Sequence, residues 1–166
     1  MALVASPTPT PAPRIGAVTE GPRFAWSDKL GNRVAEISAE SGAATGAGAD
    51  DVAGEMKKAR AILYQNGKPV ATLTADKLQP DTRTRKITGS GNVRLVSRST
   101  PDGIVSSVRA DHMVWEYDRN QIHGTGNVLV TQGDLARIPG TAIDADTALQ
   151  TVTMTGGSAP ITGTIP

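Results

Sequence analysis

The residues best suited to chemistry in this sequence are three aspartates that recur at a fixed interval. Asp76, Asp111 and Asp146 are spaced 35 residues apart (111 − 76 and 146 − 111), and each follows an alanine. Stacked carboxylates could bind calcium, but the Gly-rich nonapeptide spacing of calcium-binding solenoids is missing. Acid–base catalysis would need two carboxylates to converge in one cleft. Carboxylates that recur at a regular interval are instead typical of a structural role repeated in each copy. We therefore expect these aspartates to cap turns or to be solvated.

The two histidines and the paired glycines are the other candidates for a reactive or binding site. His112 and His123 have no cysteine or clustered carboxylate at ligand spacing, so we expect them on the surface and not at a metal. Gly89-Ser90-Gly91 and Gly124-Thr125-Gly126 lack the third glycine or the Gly-Lys-Ser/Thr of a phosphate loop, which favours glycines of turns or bulges. Because no Gly-x-Ser-x-Gly elbow occurs either, the sequence predicts no catalytic residue, no metal, no cofactor and no enzymatic activity.

Composition indicates a β-rich protein with few bulky side chains. Hydrophobic residues make up 38% of the 166 residues but aromatics only 3%, and there are 18 Gly and 11 Pro. Gly and Pro in turn-like clusters favour short strands and tight connections over long helices. The formal net charge is +1 and the two signs alternate along the chain, so nucleic acid is not an implied partner. The absence of cysteine excludes a disulfide framework and a thiolate zinc site.

The chain divides into a linker and one domain. Prolines at every second position from Pro7 to Pro13 block a helix and favour an extended tether, so residues 1–22 are predicted to be a flexible linker. A ligand for an SH3-type domain is the alternative for this segment. Residues 23–166 suit one domain, since single domains usually span roughly 100–200 residues.

A repeat organises the domain. Besides the three Ala-Asp pairs, Ala39-Glu40 lies one period and one residue before the first of them. In the two middle copies a Gly-x-Gly-Asn-Val motif begins 13 positions after the aspartate, at Gly89 and at Gly124 (89 − 76 and 124 − 111). Each copy has two apolar, β-branched stretches separated by a polar turn, which predicts two strands and two turns per copy. Such copies are expected to stack as a β-solenoid or to curl into an open β-jelly roll.

Two hairpins are predicted within this repeat pattern. Asn66-Gly67 is typical of a two-residue turn between the apolar stretches 61–63 and 70–73. Asp28–Asn32 separates two further apolar stretches and predicts a second hairpin. Only residues 50–61 hint at a helix, and because they sustain no apolar stripe we expect a loop that leads into a strand.

Alternate residues of the predicted strands would form one inner face of small, β-branched side chains. A closed core would contain more Phe, Trp and Leu, so we expect the interior to leave space for a hydrophobic groove. At about 0.8 kcal/mol per buried CH₂, an acyl chain of about a dozen methylenes gains on the order of 10 kcal/mol. A narrow core filled by the same side chains is the open alternative. The predicted lipid-groove residues are Leu73, Ala75, Val93, Leu95, Val108, Ala110, Val128, Val130, Ile143 and Ala145.

The repeated motif also resembles that of a known family. It is similar to the signature of the OstA-like domain in the lipopolysaccharide-export periplasmic proteins of the LptA and LptC type, and the resemblance covers residues about 23–160. The opening stretch Gly31–Glu40 is similar to the beginning of the LptC domain, where a Gly turn precedes a strand ending in Ala and an acid. The matching residues are Ala75-Asp76 with Gly91-Asn92-Val93-Arg94-Leu95, and Ala110-Asp111 with Gly126-Asn127-Val128-Leu129-Val130.

The resemblance implies an open β-jelly roll in the periplasm. Its hydrophobic groove would shield lipopolysaccharide or a related lipid. Its edge strands would pair with other jelly-roll transport proteins. The resemblance also allows an inner-membrane transporter complex as a partner. LptC carries an N-terminal membrane helix, whereas no stretch here approaches the roughly 20 apolar residues of such a helix, and the start shows no signal-peptide pattern. A periplasmic location therefore requires a targeting or anchoring segment that was removed or lies upstream. An anchored LptC-like role and a soluble LptA-like role both stay open.

Two other protein classes fit the repeats. A structural β-solenoid, such as an adhesin stalk or a filament-forming protein, would show the same pattern with a filled core and no ligand. A carbohydrate-processing β-helix is disfavoured because sugar platforms usually need stacked aromatics. The basic runs Lys57–Arg60 and Arg83–Lys86 could contact lipid phosphates at a groove rim, although a solvated turn is the simpler interpretation.

Overall fold

The computed structural model describes residues 15–48, 51–98, 103–134, 136–156 and 161–164, which form eleven strands joined by turns. The predicted all-β class of repeated antiparallel hairpins is confirmed. Within the described ranges, no helix is long and apolar enough to cross a membrane. The strands are β1 Ile15–Glu20, β2 Arg23–Ser27, β3 Arg33–Gly48, β4 Asp51–Gln65, β5 Lys68–Asp81, β6 Lys86–Ser97, β7 Ser106–Glu116, β8 Gln121–Gln132, β9 Ala136–Asp146, β10 Thr151–Thr155 and β11 Ile161–Thr164.

All strands belong to one antiparallel sheet, in which each strand from β3 to β11 neighbours the next along the chain. β1 and β2 both pair with β3, β1 with its second part and β2 with its first, so they lie end to end along one edge. β1 falls inside residues 1–22, the segment predicted to be a linker, and the sheet therefore begins before Arg23. Pro7 to Pro13 lie outside the described residues.

Both predicted hairpins are confirmed. Asn66 and Gly67 connect β4 to β5 with φ values of 52° and 72°, as a type I′ turn requires. β2 and β3 are joined through the Asp28–Asn32 turn. There the Asp28 carboxylate accepts hydrogen bonds from the backbone N–H of Leu30 at 2.9 Å and of Asn32 at 2.8 Å.

The predicted loop at residues 50–61 is wrong, because β4 begins at Asp51 and pairs with β3 and β5 on its two sides. The sequence hides this strand because Lys58 has a positive φ of 47° and breaks the alternation of buried and exposed residues. Met56 and Ala59, three positions apart, are therefore both buried. The two-residue alternation of a regular strand is therefore interrupted at Lys58.

The central strands bend sharply along one line near their middle. The register shifts by one residue where β6 and β8 carry bulges, at Gly91-Asn92 and at Gly126-Asn127. A Cβ built on Gly89 would lie 3.1 Å from Cγ1 of Val93, whereas residues four apart in an extended strand are about 13 Å apart. The strand therefore turns back at the bulge, and the sheet folds into two facing layers.

We call these layers half-sheet 1 and half-sheet 2. Their inner faces bury each other in one continuous hydrophobic core. Half-sheet 1 comprises β2 and residues 33–39, 59–65, 68–75, 93–97, 106–110, 128–132 and 136–140. Half-sheet 2 comprises β1, β10, β11 and residues 41–48, 51–57, 77–81, 86–90, 112–116, 121–125 and 142–146.

Candidate functional site

The repeated Ala-Asp and Gly-x-Gly-Asn-Val motifs meet at the bend. Asn92 Nδ2 donates to Oδ2 of Asp76 at 2.8 Å, and Asn127 Nδ2 donates to Oδ2 of Asp111 at 2.7 Å. Both asparagines have a φ of 46°. Gly91 has a φ of 74°, and a Cβ there would lie only 2.8 Å from Oδ2 of Asp76. The repeat therefore encodes the bulges that fold the sheet over its interior.

The other polar residues of interest lie on the surface. Asp146 caps the turn after β9, where its carboxylate accepts hydrogen bonds from the N–H groups of Ala148 at 3.2 Å and Thr151 at 2.6 Å. Because Asp76 and Asp111 are exposed, the prediction of turn-capping or solvated carboxylates is confirmed.

His112 and His123 are also exposed, as predicted, and His123 Nδ1 lies 2.6 Å from Oδ1 of Asp144. In the part of the chain that the structure describes, no three His, Cys, Asp or Glu side chains form a group that could hold a metal ion.

The ten predicted groove residues all point into the interior, where their relative exposures range from 0% to 7%. Eight of them lie in half-sheet 1, and Leu73, Leu95, Val108 and Val130 form a row of directly paired residues across β5 to β8. Ile143 and Ala145 lie in half-sheet 2. The structure thus places the eight residues of half-sheet 1 and the two of half-sheet 2 in one apolar core, where their side chains are shielded from solvent.

Sequence reasoning missed most of the inner face of half-sheet 2. In β5 and β7, which lack the bulge, the alternation of buried residues shifts phase at the bend, so a single period of two assigns Leu78 and Met113 to the wrong face. In β6 and β8 the bulge residue keeps the alternation in phase across the bend. Trp115, on that inner face, is buried and donates a hydrogen bond from Nε1 to Oγ1 of Thr147 at 2.9 Å. The missed interior residues include Met56, Leu78, Ile87, Met113, Trp115, Ile122, Leu149, Val152 and Met154.

A cavity of about 440 Å³ lies on the flank opposite the bend. It is lined from half-sheet 1 by the Asp28–Asn32 and β4–β5 turns, and from half-sheet 2 by residues of the β5–β6 and β7–β8 turns. Three of the few aromatic side chains, Trp26, Tyr64 and Tyr117, line it as well. The ends of the two layers therefore leave an opening beside the apolar core, which we call the flank opening.

The two basic runs are partly ion-paired. Lys58 Nζ lies 3.2 Å from Oε2 of Glu40, and Lys86 Nζ lies 2.8 Å from Oε1 of Glu116. Arg85 pairs with the carboxylate of Asp118. The hydrogen bond from Lys86 lowers the pKa of Glu116 below its usual value. These contacts place three of the six basic residues of the two runs in surface ion pairs.

The sheet has two unlike edges. On one side, β1 and β2 form a composite edge along β3. On the other side, β11 pairs with β10, and β10 covers only the second part of β9. Residues 136–140 of β9 have no strand on their far side within the described ranges, and this stretch contains Pro139, which has no N–H to offer.

No protein-family model matches the sequence, and no curated protein matches it. Among solved structures, the chain is similar to the crystal structure of LptH, the LptA homologous periplasmic component of the conserved lipopolysaccharide transport device from Pseudomonas aeruginosa. The two share 15% sequence identity, the match covers 92% of this chain and 96% of LptH, and the TM-score is 0.49. At this sequence identity and TM-score, the match does not establish the function of this chain.

Proposed function

We propose that this chain is a non-catalytic, lipid-handling module of lipopolysaccharide transport that acts in the periplasm. Its groove is the apolar interior between the two half-sheets, and it needs no cofactor. The observation that carries the proposal is one open sheet folded over an aliphatic interior, with a cavity where the ends of its two layers face each other.

Opening of the interior at the flank follows from the topology. Strand pairing runs within each half-sheet and across the bends, and the sheet does not close on itself within the described residues. The half-sheets can therefore part at the flank opening while every strand keeps its neighbours. An entering acyl chain would replace contacts among Ala, Val and Leu side chains with contacts of the same kind, and at about 0.8 kcal/mol per CH₂ its burial offsets their separation.

The edge strands would join this module to other jelly-roll transport proteins. An edge strand offers unpaired N–H and C=O groups to which a further strand can add. The composite β1–β2 edge suits this role better than residues 136–140, because Pro139 removes a backbone donor from the latter.

Photo-crosslinking with lipopolysaccharide tests the proposal. We expect p-benzoyl-phenylalanine at Tyr117, beside the flank opening, or at the buried Val93 to be labelled by lipopolysaccharide. The same group at Gln79, which is exposed on the outer face of β5, is the control and should stay unlabelled. Labelling at Gln79 alone, or at no position, would contradict a lipid-filled interior.

A structural β-solenoid without a ligand is the second candidate, and the burial of the interior favours it. Relative exposures of 0% to 7% for the groove residues are those of a filled core. The two candidates differ in their response to lipid. A filled core leaves the thermal unfolding midpoint unchanged when lipopolysaccharide is added, whereas a ligand bound only by the folded state raises it.

A further inference from the structure

The outer face of half-sheet 1 carries an unusual concentration of arginines. Four of them, all exposed, occupy one transverse row of paired residues. At a strand spacing of about 4.8 Å, the row spans roughly 24 Å from β2 to β7. Arg137 lies on the same face in β9. The row reads Arg23, Ser38, Arg60, Thr74, Arg94 and Arg109.

These arginines are not neutralised by the carboxylates near them. Within the described residues, no ion pair joins any of the five to a carboxylate. Glu36, which shares the face, pairs with Arg33. The acids along the bend, Asp76 and Asp111, accept hydrogen bonds from asparagines. The five arginines outnumber the two acids, Glu36 and Asp134, that line hollows on this face, so the face is basic although the whole chain has a formal net charge of only +1.

Apolar side chains lie between and beside the arginines. Ile62, Val96 and Leu129 are partly exposed on the same face, and Val105 is 47% exposed at its margin. A surface hollow of about 580 Å³ is bordered by three arginines, Arg94, Arg109 and Arg137, and by one acid, Asp134. Guanidinium groups bind phosphate in a bidentate manner.

We propose that the outer face of half-sheet 1 docks on the surface of a phospholipid bilayer with anionic headgroups. Arginines spread over a broad sheet face match a plane of phosphates, and each contributes to binding an anionic surface. The aliphatic side chains among them suit the boundary between headgroups and acyl chains. Single-stranded nucleic acid would instead require aromatic side chains for base stacking, and the arginine row contains none.

Vesicle co-sedimentation tests this face. The intact chain should bind vesicles of phosphatidylglycerol and phosphatidylethanolamine but not vesicles of phosphatidylcholine alone, and binding should weaken as salt is raised. The triple variant Arg60→Gln, Arg94→Gln, Arg109→Gln should lose about 100-fold in affinity, since each basic residue near such a surface is worth about fivefold. The variant Arg60→Lys, Arg94→Lys, Arg109→Lys keeps the charge and should retain most of the binding.

The matched control removes the same charge from half-sheet 2 through Lys57→Gln, Lys77→Gln and Lys86→Gln, and should bind the vesicles as the unmodified chain does. Equal losses in both triple variants would mean that net charge alone drives adsorption, which overturns the proposal. Binding to duplex or single-stranded DNA but not to the vesicles would overturn it as well. The assay contains no lipopolysaccharide, so its outcome is separate from that of the crosslinking experiment.

Discussion

At the scale of single residues, the bend depends on Gly91. Its φ of 74° is unfavourable for a side chain, and a Cβ there would also lie 2.8 Å from Oδ2 and 3.0 Å from Cβ of Asp76. Gly67 has a similar φ of 72° but nothing within 4 Å of its Cβ position. We expect Gly67→Ala to cost about 1–2 kcal/mol in the free energy of unfolding, the usual cost of a left-handed non-glycine residue. Gly91→Ala should cost at least about 1 kcal/mol more, because Asp76 must also move.

Urea denaturation of the two variants measures this difference. Equal losses of unfolding free energy in Gly91→Ala and Gly67→Ala would mean that contact with Asp76 adds nothing at the bend. The same comparison separates the two requirements for glycine in the repeat, the backbone conformation and the close approach of the aspartate.

Asp28 gives a residue-scale prediction about pH. A hydrogen bond from the Asn32 side chain, helped by backbone N–H groups of the turn, holds the pKa of Asp28 below its ordinary value. Because the pKa of Asp28 is lower in the folded state than in the unfolded state, the ionised carboxylate stabilises the fold at pH values above the unfolded-state pKa. This stabilisation is lost as the pH falls through the folded-state pKa. We expect an NMR titration to place the Asp28 pKa below the roughly 3.9 of an unstructured aspartate.

Asn32→Ala should move the Asp28 pKa back toward the unstructured value, because it removes the largest cause of the shift. Asn127→Ala alters only the bend on β8 and should leave the Asp28 titration unchanged. A titration that is identical in Asn32→Ala and in the unmodified chain would rule out the side-chain hydrogen bond as the cause.

At the scale of elements, hairpins were predictable and bends were not. Asn66-Gly67 identifies its turn because few residue pairs accept two positive φ values. The strand at Asp51–Gln65 was missed since the kink at Lys58 interrupts its alternation. The Gly-x-Gly-Asn-Val motif was correctly expected to hold turn or bulge glycines. The bend that this motif makes in the sheet depends on a cross-strand hydrogen bond from Asn92 to Asp76, and the spacing of the residues alone does not specify that bond.

At the scale of the whole molecule, the sequence conceals how charge is distributed. Basic and acidic residues alternate along the chain, which argues against a charged surface. Strand register nevertheless aligns Arg23, Arg60, Arg94 and Arg109 in one row, while lysines of half-sheet 2 such as Lys77 and Lys86 pair with acids. Register depends on bulges and turns together, so this segregation could not be predicted from any local pattern.

The proposed function requires the two half-sheets to move apart at the flank opening, which is a motion of the whole molecule. The chain has no cysteine, so spin labels can be placed at two introduced cysteines only. Lys68→Cys puts one label at the exposed first residue of β5 in half-sheet 1, and Thr84→Cys puts the other at an exposed position in the β5–β6 turn of half-sheet 2. We expect the distance between these labels, measured by pulsed electron paramagnetic resonance, to increase when lipopolysaccharide is added.

Lys68→Cys with Leu30→Cys is the matched control pair, because both positions are exposed and both belong to half-sheet 1. Their separation should stay constant if each half-sheet moves as a rigid layer. A constant distance in both pairs, in the presence of bound lipopolysaccharide, would show that lipid binds without parting the layers. The aliphatic interior would then be a filled core, and the lipid would have to bind on an outer face. A change in both pairs would instead indicate that lipid disrupts half-sheet 1 itself, since a hinge at the bulges leaves the pairing of β3, β4 and β5 within that layer intact.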